Sequence, residues 1–239
     1  MRHPIPTTTA SRVAAVPGAA LSVLFGAAAR LRPAAKPLHP HGSLLPATVQ
    51  REGLTHAVGV PWIDEAGRDE VTVRLSRSLG LPEQLPDVHG LALRVPLRDS
   101  HADLLLATTG RGRLTRFVFR PGLQPSAYTS LLPYRTATGP LLLAAFPVGT
   151  GGVDFDLACA SPQGAWRTFA RLHVGVEDSE KGTAGLERRG PDPTVSFDPI
   201  LNQLPGLRPY AWVATLREGA YAAARRARGS RDEHVVVER

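Results

Sequence analysis

The sequence predicts a mainly β protein of the α+β class, in which an eight-stranded antiparallel β-barrel is flanked by helices toward both chain ends. Two observations lead to this prediction. Between residues 43 and 176, about eight short segments either alternate apolar and polar residues or are enriched in β-branched residues. Short polar stretches with breakers such as Gly67, Pro82 and Gly164 separate these segments, which favours antiparallel pairing of neighbouring strands.

The elements are expected to form one structural domain with three parts. Residues 1–42 are predicted to form an N-terminal helix and a proline-punctuated, extended arm. Residues 43–176 are predicted to form the barrel, and residues 177–239 an exposed polar loop followed by a helix over 211–228. The expected strands lie near 43–51, 70–77, 89–97, 102–108, 113–119, 140–147, 153–161 and 165–176.

The composition is that of a globular protein with an excess of positive charge. Hydrophobic residues make up 43% and charged residues 21% of 239 residues, and the formal net charge is +7, so folding and an anionic partner or cofactor are both expected. No aromatic residues interleave with the arginine cluster at 225–231, which argues against a dedicated nucleic-acid groove.

The single cysteine and the hydropathy pattern exclude several classes of protein. Cys159 alone cannot form an internal disulfide or a zinc site built from several thiolates, and it is expected to be buried as a small hydrophobic residue. The chain contains no apolar run of eighteen residues, so no transmembrane span is predicted. Pro17 and Gly18 interrupt the apolar N-terminal stretch, and a cytoplasmic location is expected.

The predicted last helix carries an arginine and a tyrosine on one face. Arg217 and Tyr221 stand four residues apart, so they lie one turn from each other. A neighbouring guanidinium favours the tyrosinate form, which is an axial ligand that ferric haem accepts. An ordinary surface pair is the alternative interpretation.

The proline-rich arm contains the segment KPLHPHG, with Lys36, His39 and His41. A histidine on such an arm could act as a general acid and base, or it could simply be a solvated loop residue. Neither histidine shows metal-ligand spacing to a second histidine together with a carboxylate, so a non-haem metal site is not expected.

The segment VRLSRS places Arg74 and Ser76 on the same face of a predicted strand, because side chains alternate along a strand. If that face is buried, the guanidinium and the hydroxyl both need polar partners. An outward, solvated polar face is the alternative.

These segments together resemble motifs of the catalase superfamily, in the family's order, from residue 36 to residue 228. KPLHPHG resembles the family's arm motif, VRLSRS its VRFST strand, PDVHGLALRV its RDVRGFAVKF segment, and DLLLAT its DLVGNN. Further along, FDP at 197–199 and PGLRP at 205–209 resemble the family's FNPFD and PGIEP, and Arg217 with Tyr221 matches its RxxxY motif.

The resemblance implies haem b as cofactor and assigns roles to individual residues. Tyr221 would be the axial iron ligand, tuned by Arg217, and His39 the distal acid and base, held in orientation by Ser76. Lys36, Arg74 and Arg228 would bind the haem propionates by charge-assisted hydrogen bonds.

One departure from the family concerns the distal asparagine. This position falls on Ala107, or on Thr108 if the register slips by one residue, and Thr108 could supply only a hydroxyl. The chain also lacks the long wrapping regions of full-length catalases, so an intertwined tetramer is not expected, and a homodimer is the alternative assembly.

The expected function is that of a haem-dependent peroxidase, or of an enzyme converting an organic or fatty-acid hydroperoxide as in the allene oxide synthase branch. A peroxide or lipid hydroperoxide is the expected substrate, and weak catalase activity is compatible with the missing asparagine. The alternative is a non-catalytic haem-binding barrel. A phosphodiesterase-type hydrolase is a remote alternative, because the sequence contains no HD pair and no P-loop.

Overall fold

The fold is seen in a computed structural model that describes residues 41–78, 82, 84–124, 126–149, 154–175, 197–211 and 213. These residues are mainly β, with a short helix α1 at Pro61–Asp64 and one turn of 3-10 helix at Thr115–Phe117. The strands are β1 His41–Arg51, β2 Gly67–Arg77, β3 His89–Pro96, β4 His101–Thr108, β5 Tyr128–Thr129, β6 Tyr134–Thr136, β7 Gly139–Val148, β8 Asp154–Ala160, β9 Arg167–Val174 and β10 Arg208–Pro209. Neither helix in these ranges approaches the length and hydrophobicity that a membrane-spanning helix requires.

Eight of the strands close into an antiparallel barrel. The ring runs β1-β2-β3-β4-β5-β7-β8-β9 and returns to β1, with every pairing antiparallel. β6 also pairs with β7, and β10 pairs with β6, so these two short strands extend one side of the ring. The predicted mainly β fold and the eight-stranded barrel are therefore confirmed, whereas the predicted terminal helices lie outside the described residues.

The barrel interior is filled by alternate side chains of its strands. Residues two apart on each strand point to the same face, and the interior set is apolar and almost fully buried: Leu45, Val49, Val73, Leu91, Leu93, Leu104, Leu143, Phe155, Leu157 and Leu172. Because this volume is packed with side chains, a ligand that binds to the barrel wall lies against its outer face.

Cys159 belongs to this interior set and is completely buried. Burial raises the pKa of its thiol to about 11, so the thiol is neutral at physiological pH. The prediction that Cys159 serves as a small hydrophobic residue is confirmed.

Residues 113–119, predicted to form a strand, instead form a loop around the 3-10 turn. Local hydrogen bonds explain the difference: the Gly112 amide donates to Thr115 Oγ1 at 3.1 Å, and the Arg116 amide donates to the Gly112 carbonyl at 3.0 Å. The burial of these residues is also opposite to what their hydrophobicity predicts, because Arg116 is buried while Leu114 and Val118 are exposed. β5, which contains only two residues, takes the place of that strand in the ring.

Residues 197–207 are linked to the barrel by a buried carboxylate, in addition to the packing of Leu204 and Leu207 in the core. Asp103 on β4 accepts two hydrogen bonds from Arg94 at 2.8 and 2.9 Å, one from Asn202 Nδ2 at 2.8 Å and one from the Asp198 amide at 2.9 Å. The Arg94 guanidinium also lies over the ring of Phe197 at 4.7 Å. This network ties β3, β4 and the segment that follows residue 196 together.

Candidate functional site

The candidate site lies on the outer face of β1 to β4, where small residues from four neighbouring strands line up. The register pairs Gly42 with Ser76, Ser76 with Gly90, and Gly90 with Ala107. Residues paired directly across antiparallel strands share a face of the sheet. We call these four residues, together with Arg74, the outer patch.

Each strand of the outer patch supplies a residue from one of the motifs described above. Gly42 ends the arm segment KPLHPHG, Arg74 and Ser76 come from VRLSRS, Gly90 from PDVHGLALRV, and Ala107 from DLLLAT. The antiparallel meander β1-β2-β3-β4 therefore brings four separated segments side by side.

Arg74 is the charged group of the outer patch, and it is buried although it lies on the outside of the barrel. Only 8% of its surface is exposed, so the polar partners that a buried guanidinium requires are part of its environment. Arg74 and Ser76 share one strand face, as predicted, but the solvated alternative does not hold for Arg74.

Gly42 lies directly against the end of the Arg74 side chain. A Cβ atom at this position would lie 2.7 Å from both Cζ and Nη2 of Arg74. The guanidinium thus occupies the space that any other side chain at position 42 would need. Arg74 is held against the main chain of β1, and the arm motif and the strand motif are in direct contact.

The structure does not bring Thr108 together with this patch. Alternation along β4 places Ala107 with Ser76 and Gly90, and Thr108 on the opposite, interior-facing side. Thr108 is 2% exposed, and its hydroxyl accepts a hydrogen bond from the His89 amide at 3.0 Å. Next to Ser76 and Gly90, β4 therefore contributes the methyl group of Ala107 to this face.

His89 lies beside Thr108, and both its amide and its ring form hydrogen bonds within the barrel wall. Burial lowers the pKa of its imidazole, although the hydrogen bond to the Gly122 carbonyl and the charge of Asp87 oppose this effect. The ring is therefore neutral at pH 7, and its Nε2–H donates to the Gly122 oxygen at 3.0 Å. This structural role leaves His89 outside the candidate site.

The other predicted site residues lie outside the described residues: Lys36, His39, Arg217, Tyr221 and Arg228. Within the described ranges, no group of three or more His, Cys, Asp or Glu side chains is placed to hold a metal ion. A shallow cavity of about 210 Å³ is lined by residues of α1 and its surroundings, including Trp62 and Leu204, and contains none of the predicted site residues.

The sequence motifs point to Arg74, Ser76 and Ala107, but the part played by the two glycines emerges only from the strand register. Gly42 and Gly90 are paired with Ser76 on either side, and because glycine has no side chain, nothing projects from the sheet at these two positions. Their signal was present in the sequence, since both glycines stand within motifs of the resemblance, but their adjacency depends on the strand register.

Comparison with known proteins adds no family assignment. A scan of the chain against protein-family models matches none of them, and a search of the curated proteins finds no match.

Proposed function

We propose that this protein is a haem-dependent peroxidase or hydroperoxide-converting enzyme of the catalase-like type. The observation that carries the proposal is the contact between two motifs of the resemblance, in which the Arg74 guanidinium fills the space left by Gly42. A buried arginine held against the barrel wall fits a haem propionate, because a guanidinium binds a carboxylate through charge-assisted hydrogen bonds.

In this proposal the chain's own residues bind the cofactor and move the proton. Arg74, Lys36 and Arg228 neutralise the propionates, Tyr221 provides the anionic oxygen ligand, and Arg217 keeps that oxygen ionised. Haem bound in this way supplies the redox-active iron at which a peroxide is reduced. His39 takes a proton from one peroxide oxygen and returns it to the other, while Ser76 orients the imidazole.

The first test is the absorption spectrum of the purified full chain titrated with haemin. We expect stoichiometric binding with the spectrum of a high-spin ferric haem on a tyrosinate, and we expect Tyr221→Phe to lose that spectrum. The folded barrel should be retained in this variant, as checked by far-ultraviolet circular dichroism. Absence of stoichiometric haem binding by the wild-type chain would refute the proposal.

Arg74 can be tested against a closely matched arginine. Arg74→Gln is expected to weaken haemin binding by roughly ten- to a hundredfold, because it removes a charged hydrogen-bond donor worth about 1.5–3 kcal/mol. Arg68 lies on the same face of β2 but has an exposed side chain, so Arg68→Gln should bind haemin like the wild type. If the two variants bind haemin with equal affinity, Arg74 does not contribute to haemin binding.

A second candidate function is a haem-binding barrel without efficient turnover. The observation that favours it is the place of Ala107, which lies beside Gly90 on the patch and cannot donate a hydrogen bond to a peroxide. Consumption of hydrogen peroxide or of an organic hydroperoxide by the haem-loaded protein separates the two candidates, because the non-catalytic barrel would consume neither at an appreciable rate.

A further inference from the structure

The segment between β4 and β8 has an unusual charge pattern. Residues 104–153 contain five arginines and no aspartate or glutamate. Three of these arginines, Arg111, Arg113 and Arg120, are exposed in the loop formed by residues 110–124, which we call the basic loop. The positive charge of this loop is therefore not neutralised by acidic residues from its own part of the sequence.

The first part of the basic loop, residues 110–118, is closed at its base. Thr109 and Phe119 form an antiparallel bridge, and the Arg120 amide donates to the Thr108 carbonyl at 2.9 Å. Residues 110–118 consequently project from the end of β4 as a compact loop with paired ends.

One buried arginine holds the loop from inside. Arg116, 2% exposed, donates to the carbonyls of Ser161 and Gly164 at 3.3 and 3.1 Å, and its guanidinium lies 4.4 Å from the ring centre of Trp166. Trp166 Nε1 in turn donates to the Arg111 carbonyl at 3.0 Å. The exposed groups of the loop are thus presented from a fixed backbone, which lowers the entropy lost on binding.

The same loop exposes large aliphatic side chains. Leu114, Val118 and Leu123 are 84%, 61% and 57% exposed. Five large hydrophobic side chains are exposed among the described residues, and the basic loop carries three of them. Exposed aliphatic residues interspersed with arginines are typical of a surface that inserts into the headgroup region of an anionic membrane.

The aromatic residues near the loop do not favour nucleic acid. Binding of single strands relies on exposed aromatic rings on which bases stack. Here the rings of Phe146 and Trp166 are covered by Arg111 at 4.1 Å and by Arg116, and none of the exposed side chains of the loop is aromatic.

We propose that the basic loop is a docking surface for an anionic lipid bilayer. Its arginines meet the lipid phosphates, and Leu114, Val118 and Leu123 enter the interface between headgroups and acyl chains. This proposal does not depend on haem binding, so the outcome of its test is independent of the outcome for the proposed function.

The test is co-sedimentation of the full chain with vesicles of phosphatidylcholine alone and of phosphatidylcholine mixed with phosphatidylglycerol. We expect binding to the anionic vesicles that weakens as salt is raised. Each arginine contributes roughly fivefold to such binding, so Arg113→Glu/Arg120→Glu should bind at least about twenty-fivefold more weakly. Leu114→Ser should bind roughly tenfold more weakly through loss of apolar burial.

The matched control reverses the same amount of charge at the other end of the barrel. Arg68 at the start of β2 and Arg98 in the turn before β4 are exposed, and the length of β4 separates them from the basic loop by roughly 25 Å. Arg68→Glu/Arg98→Glu should retain most of the vesicle binding. Equal loss in both double variants, equal binding to neutral vesicles, or preferential binding of a single-stranded DNA oligonucleotide would overturn the proposal.

Discussion

Asp103→Ala is expected to lower the free energy of unfolding by about 2–3 kcal/mol, because the donors that bond to this buried, charged acceptor lose it. The carboxylate is completely buried and accepts hydrogen bonds from Arg94, Asn202 and the Asp198 amide. Its removal takes the carboxylate away from the Arg94 guanidinium and abolishes two hydrogen bonds that hold residues 197–207 against β4, whereas the bond from the Asp103 amide to the Asn202 carbonyl is retained. Urea unfolding followed by fluorescence measures the change.

The exposed Asp99 provides a matched control for this variant, because it lies in the same β3–β4 hairpin. Asp99→Ala should change the free energy of unfolding by less than about 0.5 kcal/mol. Similar losses in the two variants would show that the buried network does not stabilise the fold.

The contribution of Asp103 should also depend on pH in a defined direction. Burial by itself raises the pKa of this carboxyl, but the hydrogen bonds from Arg94, Asn202 and the Asp198 amide together outweigh it, so the pKa lies below its usual value. A lowered pKa stabilises the folded state above the unfolded-state value of about 4. The difference in stability between wild type and Asp103→Ala should therefore shrink as the pH falls below about 4.

The barrel could be predicted because most of its strands carry a clear two-residue period. β2 and β4 alternate between interior apolar residues and the outer face along much of their length, and the short connections between strands favour antiparallel neighbours. Seven of the eight strands of the ring correspond to predicted segments. Periodicity is informative here because one face of each strand packs into the interior.

The eighth strand could not be predicted from periodicity. β5 has two residues, too few for any period to be visible, and residues 113–119 show an alternation that the fold inverts. Burial of Arg116 depends on the carbonyls of Ser161 and Gly164, which lie more than forty positions further along the chain. Such a tertiary contact leaves no local trace in the sequence.

The candidate site, like the barrel, could be predicted only in part from the sequence. The motifs identified Arg74 and Ser76 as neighbours on one face, which alternation alone establishes. Whether Ala107 or Thr108 shares that face depends on a single residue of register, and a shift by one residue exchanges the two faces of a strand. Only the pairing of Gly90 with Ala107 resolves this point.

His39→Ala is expected to lower peroxide turnover of the haem-loaded protein by roughly two to four orders of magnitude while haem binding is retained. In the proposed function His39 moves a proton between the two peroxide oxygens, and general acid–base catalysis typically contributes a factor of this size. Tyr221 is the proposed iron ligand, so loss of the imidazole should not release the cofactor. Ala107 cannot donate a hydrogen bond from the outer patch, which makes turnover depend all the more on His39.

His41 provides the matched control, because it lies two residues further along in the same KPLHPHG segment. His41→Ala should keep both haem content and turnover near the wild-type values. The haem-to-protein absorbance ratio and the rate of hydroperoxide consumption report the two properties separately. If His39→Ala and His41→Ala turn over peroxide equally well, His39 is not the acid and base. If His39→Ala instead fails to bind haem, the histidine contributes to the cofactor site rather than to proton transfer.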